Sequence, residues 1–158
     1  MAAQRTPVAQ STPAGGGRIG LAGDSLHYWQ MLRVLSRRYT LAVISDTGFA
    51  SGRAQDRLLE KDAARGFFAS TIYSMDVGHA KPRAEIFHAA VSALGLVAGD
   101  ILHIGDNERT DVRGALAAGF RAIRIDVVRD SGPSEAEFVA RSFEELSAYL
   151  LKQTLTTK

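Results

Sequence analysis

Two aspartates, Asp106 and Asp111, close the segment Gly105-Asp106-Asn107-Glu108-Arg109-Thr110-Asp111, which directly follows the apolar run Ile101-Leu102-His103-Ile104. A short buried strand ending in carboxylates, with a helix starting at the second of them, aims hard oxygen ligands at the carboxyl edge of a parallel sheet. Such an edge is where α/β proteins place ligands. The pair suits Mg²⁺, which keeps several waters and takes only one or two protein carboxylates. It equally suits a plainer job, an Asp capping a helix after a strand. Alone, the segment leaves both readings open.

Two upstream segments add the complementary chemistry. Leu41-Ala42-Val43-Ile44-Ser45-Asp46-Thr47-Gly48 is an apolar strand running into a hydroxyl-rich turn, which puts Ser45 at the same edge as Asp106. Gly78-His79-Ala80-Lys81-Pro82 sets Lys81 before a proline whose fixed φ and missing N–H suit the first turn of a helix. A hydroxyl, an ammonium and a carboxylate pair holding a metal are what a phosphoryl group needs around it, because its transfer is catalysed mainly by positioning and charge neutralisation. Taken singly, Ser45 is also a turn former and Lys81 also an ordinary surface charge. The order and spacing of all three favour the phosphoryl reading.

With these residues in place, the chain resembles the haloacid dehalogenase-like hydrolases, in their phosphatase branch. Ser45 matches the second motif of that superfamily, Lys81-Pro82 the third, and Gly105-Asp106 with Asp111 the fourth. Ile86-Phe87, Ala89-Ala90 and Leu94-Gly95 also look like the family, and the strong similarity runs over residues 41–126. The resemblance implies a phosphate site of Ser45, Asp46 and Lys81, with Ser45 donating to a phosphoryl oxygen and Lys81 neutralising charge. It implies Mg²⁺ on Asp106 helped by Asp111, and a phosphorylated substrate. The first motif, a strand ending in Asp-x-Asp that supplies nucleophile and acid/base, has no match anywhere in the 158 residues. The chain therefore reads as a truncated form. The 35 residues between Ser45 and Lys81 leave no room for the family's cap module, so an open site and either a large or macromolecular substrate or poor selectivity are expected.

Composition sets outer bounds. A chain of 158 residues, 46% hydrophobic, can bury one good core. Its 19 basic and 17 acidic residues give a net charge of +2 with no basic stripe, which argues against nucleic acid as a partner. The absence of cysteine excludes disulfides and thiolate metal sites and fits the cytoplasm. No apolar run approaches a membrane span, and no signal-peptide core opens the chain.

Periodicity divides the chain into a disordered tail over residues 1–18, a core domain over 19–152 and a short tail over 153–158. Helices are expected at 25–38, 53–61, 83–94 and 111–118 and from Ser142 onward, with strands at 41–45, 70–74, 101–104 and 121–126. Ser142 and Glu145 form a capping box. This alternation predicts an α/β fold, a three-layer Rossmann-like and mostly parallel sheet with helices on both faces and no cap domain.

In the family's sheet the nucleophile strand lies between those carrying the second and fourth motifs, and an empty slot there would orphan buried ladder groups. Arg18-Ile19-Gly20-Leu21-Ala22 is the nearby candidate to fill it; a homodimer sharing elements across the gap is the other solution. Asp24 is then either a helix cap, the common job of such a residue, or a substitute nucleophile. The function expected is a weakly active Mg²⁺-dependent phosphohydrolase. The alternative is a non-catalytic domain that binds phosphate or a protein, its sheet completed by a partner chain.

Overall fold

The computed structural model describes residues 8–11, 25–126 and 132–153. Its strands are β1 Val8–Ser11, β2 Leu41–Ser45, β3 Phe68–Tyr73, β4 Leu102–Gly105, β5 Arg121–Ile125 and β6 Phe138–Ala140. Its helices are α1 Ser25–Arg38, α2 Gly52–Lys61, α3 Ser74–Val77, α4 Ala84–Leu94, α5 Arg113–Ala117 and α6 Phe143–Lys152. The strands form one sheet in the order β3-β2-β1-β4-β5-β6, and every neighbouring pair is parallel.

A parallel strand covered on both faces needs apolar side chains without alternation, and β2 is buried at all five positions. Leu41 and Val43 pack with Met31, Leu32 and Leu35 of α1 and with Leu146 and Leu150 of α6. Ala42 and Ile44 face the other way, onto Ile86, Phe87 and Ala90 of α4 and onto Val112 and Ala115. The two clusters are the two interlayer cores of the expected three-layer α/β fold. On the first face α1 is bonded to α6, with the Tyr39 hydroxyl donating to the Leu150 carbonyl at 2.6 Å and the Arg38 guanidinium to those of Leu151 and Gln153. Half of the capping box at α6 forms as expected, with Ser142 Oγ accepting from the Glu145 N–H; the Glu145 carboxylate reaches one residue further back, to the Arg141 N–H.

The central slot is filled from within the segment expected to be a tail. Val8–Ser11 pairs with β2 through Val8–Leu41 to Ser11–Ile44 and with β4 through Val8–Leu102 to Gln10–Ile104. The expectation of a tail over 1–18 is thereby corrected at these four residues, and the sheet needs no strand from a second chain. The reason is that a gap between two buried strands demands backbone partners, which any extended stretch supplies whatever its side-chain pattern. The shared-strand homodimer loses its driver. Arg18–Ala22 and Asp24 lie outside the described residues.

Two boundaries also differ from expectation. Pro82 stands ahead of α4 rather than in its first turn, since Arg83 is the cap residue and Ala84 the first helical one. The helix after β4 starts three residues before Asp111, with a π-helical turn, Glu108–Val112, leading into α5. Residues between β2 and Lys81 form α2, β3 and α3 and so add a strand to the sheet instead of a lid. Among the described residues no helix is long and apolar enough to cross a membrane.

Candidate active site

Three neighbouring strands end together. Ser45 closes β2, Gly105 closes β4, and β1 closes between them at Ser11, opposite Ile44. The loops leaving this edge carry Asp46, Asp106 and Asn107. The four residues of the middle strand, Val8–Ser11, contain no aspartate.

Lys81 reaches the edge from the loop before α4 and is held at both ends. Its backbone N–H donates to Asp46 Oδ1 at 2.9 Å, and its Nζ donates to Asp111 Oδ1 at 2.6 Å. Both side chains of this ion pair are nearly sealed from solvent, at 4% and 3% exposure. Asp111 Oδ1 also meets His103 Nε2 at 3.3 Å, while its Oδ2 accepts from the Asn107 N–H at 3.0 Å. Asn107 caps the turn, its Oδ1 accepting from the Arg109 and Thr110 N–H groups at 3.0 Å each. Because Asn107 supplies the cap, Asp111 lies inside the turn and is free to face Lys81. A Cβ on Gly114 would stand 3.0 Å from both Pro82 and Phe87, so glycine permits the close approach that brings α5 to the lysine loop.

Burial alone would push the Asp111 carboxyl up, but the hydrogen bond from His103 and the charge of Lys81 outweigh it and hold Asp111 well below the usual carboxylate range. His103 is fully buried in β4, and that burial pulls its imidazole below the ordinary histidine value against the opposing pull of Asp111. Its Nδ1 has no partner among the described residues. An unprotonated ring nitrogen tolerates that better than an N–H, so Nε2 carries the proton and donates to an ionised Asp111. Asp106 is exposed at the loop tip, and partial burial followed by the charge of Asp111 pushes its carboxyl up.

These shifts fix a pH dependence of stability. His103 binds a proton less readily folded than unfolded, so stability is full above about pH 6.5 and falls as the pH drops below it. Asp111 adds stability above its unfolded value of about 3.9, which is lost at lower pH. Urea midpoints measured across pH should show two descending limbs, and His103→Gln should remove the upper one. A midpoint in the unmodified chain that stays flat from pH 7 to 5 would contradict a buried neutral imidazole.

The sites expected from the sequence come together unequally. Ser45, Lys81, Asp106 and Asp111 share the edge. Asp46 is there as well, its carboxylate accepting from the Lys81 N–H and so holding the lysine loop. Both oxygens of Asp111 are occupied by donors, while Asp106 is exposed and its ionisation is opposed by a neighbouring negative charge. That is the environment a cation relieves. Among the described residues no three acidic, histidine or cysteine side chains converge. The donor set thus fits Mg²⁺, which needs one or two carboxylates and keeps its water, and fits poorly a metal that requires a full protein cage.

Two residues here were not anticipated. His103 is a lone histidine inside an apolar strand two residues before Gly105-Asp106, and that position was the available signal. Arg124, inside Ala122-Ile123-Arg124-Ile125, is 1% exposed and donates to Glu108, Asp126 and the carbonyls of Gly132 and Pro133. Glu108 also accepts from the Ser134 hydroxyl at 2.6 Å and the Glu135 N–H at 2.9 Å. This network anchors the turn that begins two residues after Asp106.

The carboxyl edge of this parallel α/β sheet thus gathers a serine, a lysine in a buried ion pair and an exposed aspartate. The family model for haloacid dehalogenase-like hydrolases matches residues 24–119, and the chain belongs to that family. The match leaves β1 outside it. Phosphoserine phosphatase of Thermus thermophilus is 33% identical over 91 residues, which are 58% of this chain and 36% of that protein. The chain spans between 36% and 50% of the length of curated relatives such as this one and human N-acylneuraminate-9-phosphatase. A hydrolase of the superfamily from Ehrlichia chaffeensis shares the fold with a TM-score of 0.72 at 16% identity, covering 94% of this chain and 97% of that one. YfnB of Bacillus subtilis, solved bound to magnesium, gives a TM-score of 0.69 at 22% identity over 77% of this chain and 54% of its own.

Proposed function

We propose that the chain is a Mg²⁺-dependent phosphohydrolase domain of low turnover acting on phosphate monoesters. The observation that carries this reading is the buried Lys81–Asp111 ion pair, whose ammonium is near enough to Asp106 to act on its charge. In this reading Ser45 and the backbone of Asp46 donate to phosphoryl oxygens, and Lys81 neutralises their charge. Asp111 orients Lys81. Asp106 holds the metal, whose contribution when bound is to offset charge on the phosphoryl group. The phosphatase relatives support a phosphorylated substrate, and the cysteine-free composition supports a cytoplasmic setting.

Low turnover follows from the missing Asp-x-Asp motif. An aspartyl nucleophile splits hydrolysis into two easier steps through an acyl phosphate, and a chain without that motif loses this route. The same observation supports a second reading, a domain that binds phosphate groups without turning them over. Hydrolysis of p-nitrophenyl phosphate with and without Mg²⁺ separates the two. The first reading expects slow, Mg²⁺-dependent release that Asp106→Asn abolishes, together with a Mg²⁺-induced rise in melting temperature lost in the same variant. An equal Mg²⁺ shift in both proteins would remove Asp106 from the metal site. Phosphate binding without release would establish the second reading.

A further inference from the structure

The inference deepens the proposed phosphate site and rests on it. We infer that His103 is a positioning residue of that site, a neutral imidazole whose Nε2–H holds the Asp111 carboxylate in the orientation that aims Lys81 at the phosphoryl group.

Four observations converge on it. The ring is fully buried in the middle of β4, a costly place for a polar side chain without a specific bond. Its partner in the register with β5 is Ala122, so on that side the imidazole has a small neighbour in its row. Phe87 meets it edge to face, with ring centroids 5.3 Å apart, which limits rotation of the ring. Its one polar contact among the described residues is Asp111 Oδ1, the same oxygen that receives Lys81 Nζ.

The geometry is a relay of orientation. Asp111 could turn about its side-chain bonds to follow Lys81 outward, but three donors fix it: Lys81 Nζ, His103 Nε2 and the Asn107 N–H. His103 is the donor on a strand, the most rigid of the three supports. Losing it leaves the carboxylate tethered only by the loop and by the lysine it is meant to position. A phosphoryl group would then meet a less ordered ammonium, and affinity falls although every residue touching phosphate is intact.

The test uses the full chain with His103→Gln, which keeps a donor at a similar reach, and His103→Met, which keeps volume without one. Isothermal titration with inorganic phosphate reads the site, and the rate at which a lysine-directed acylating reagent labels Lys81, followed by peptide mass spectrometry, reads the ion pair without any ligand. Expected are a phosphate Kd weakened about tenfold in His103→Met, as for loss of one hydrogen bond to a charged group, with faster Lys81 labelling, and values close to the unmodified chain in His103→Gln. Nitrogen-15 NMR of the unmodified chain should show the Nε2–H tautomer at His103. The inference is overturned if Gln and Met behave alike in properly folded protein, or if the proton resides on Nδ1. Should His103→Met fail to fold, the tautomer and the Gln variant still decide. Absence of phosphate binding in the unmodified chain would defeat the phosphate reading alone, since labelling and tautomer report on the His103–Asp111–Lys81 linkage independently.

Discussion

Lys81→Met is expected to abolish phosphate binding and to lower stability by about 3–5 kcal/mol, the usual cost of breaking a buried ion pair from one side. The substitution keeps length and apolar bulk, so the loss is electrostatic. It leaves Asp111 as a carboxylate nearly sealed from water, with His103 and Asn107 as its remaining donors. In a chain of this size the melting temperature should fall by roughly 10 °C or more. Because the cost comes from an uncompensated charge, removing that charge should return much of it: Lys81→Met with Asp111→Asn should melt above Lys81→Met alone while still failing to bind phosphate. Calorimetry of the three proteins with phosphate titrations checks both halves. Additive destabilisation in the double variant would show that the pair is not coupled.

Removing residues 1–11 is expected to abolish cooperative folding. β1 pairs with four residues of β2 and three of β4, and its loss leaves both facing ladders without partners at the centre of the core. Each unsatisfied buried backbone group costs about 1–3 kcal/mol, and a few of them exceed the net stability of about 5–15 kcal/mol available to a domain. Circular dichroism should show no sharp thermal transition, and a synthetic peptide of residues 1–12 added in excess should restore one. A truncated chain that melts like the full one would mean that β1 contributes nothing to the sheet.

This second result runs against what residues 1–18 look like on their own, and the contrast shows where sequence is legible. β2 and β4 could be read because buried parallel strands are written as uninterrupted apolar runs, and their ends carry Ser45 and Asp106. β1 has Val8 as its single strong strand former, and threonine, proline and glycine follow it. What makes it a strand is the demand of its neighbours, a property of the sheet and not of the segment. The sequence did expose that demand; it pointed to Ile19 and Leu21 because they are more apolar. β6, three residues long, has too little pattern to be found.

At the site, residue types were legible and the division of labour was not. The spacing of Asp106 and Asp111 announces two carboxylates at one edge, but which faces solvent and which faces Lys81 depends on Asn107 capping the turn between them. His103 and Arg124 were hidden for a related reason. A polar residue inside a strand reads as an exposed position, and only the packed structure shows that each is buried and bonded.

The place of β1 also governs the order of assembly. The central strand precedes both of its partners along the chain, so Ala9 must wait for Ala42 on one side and for His103 on the other. Contacts so distant along the chain make folding slow, because loop closure has to precede any gain from pairing. During synthesis the nascent segment stays unsheltered until β4 emerges, and β2 meanwhile presents an open apolar edge. Such an edge is a template for strands of other chains, which makes this interval the protein's most aggregation-prone moment and the stage at which a chaperone would matter most.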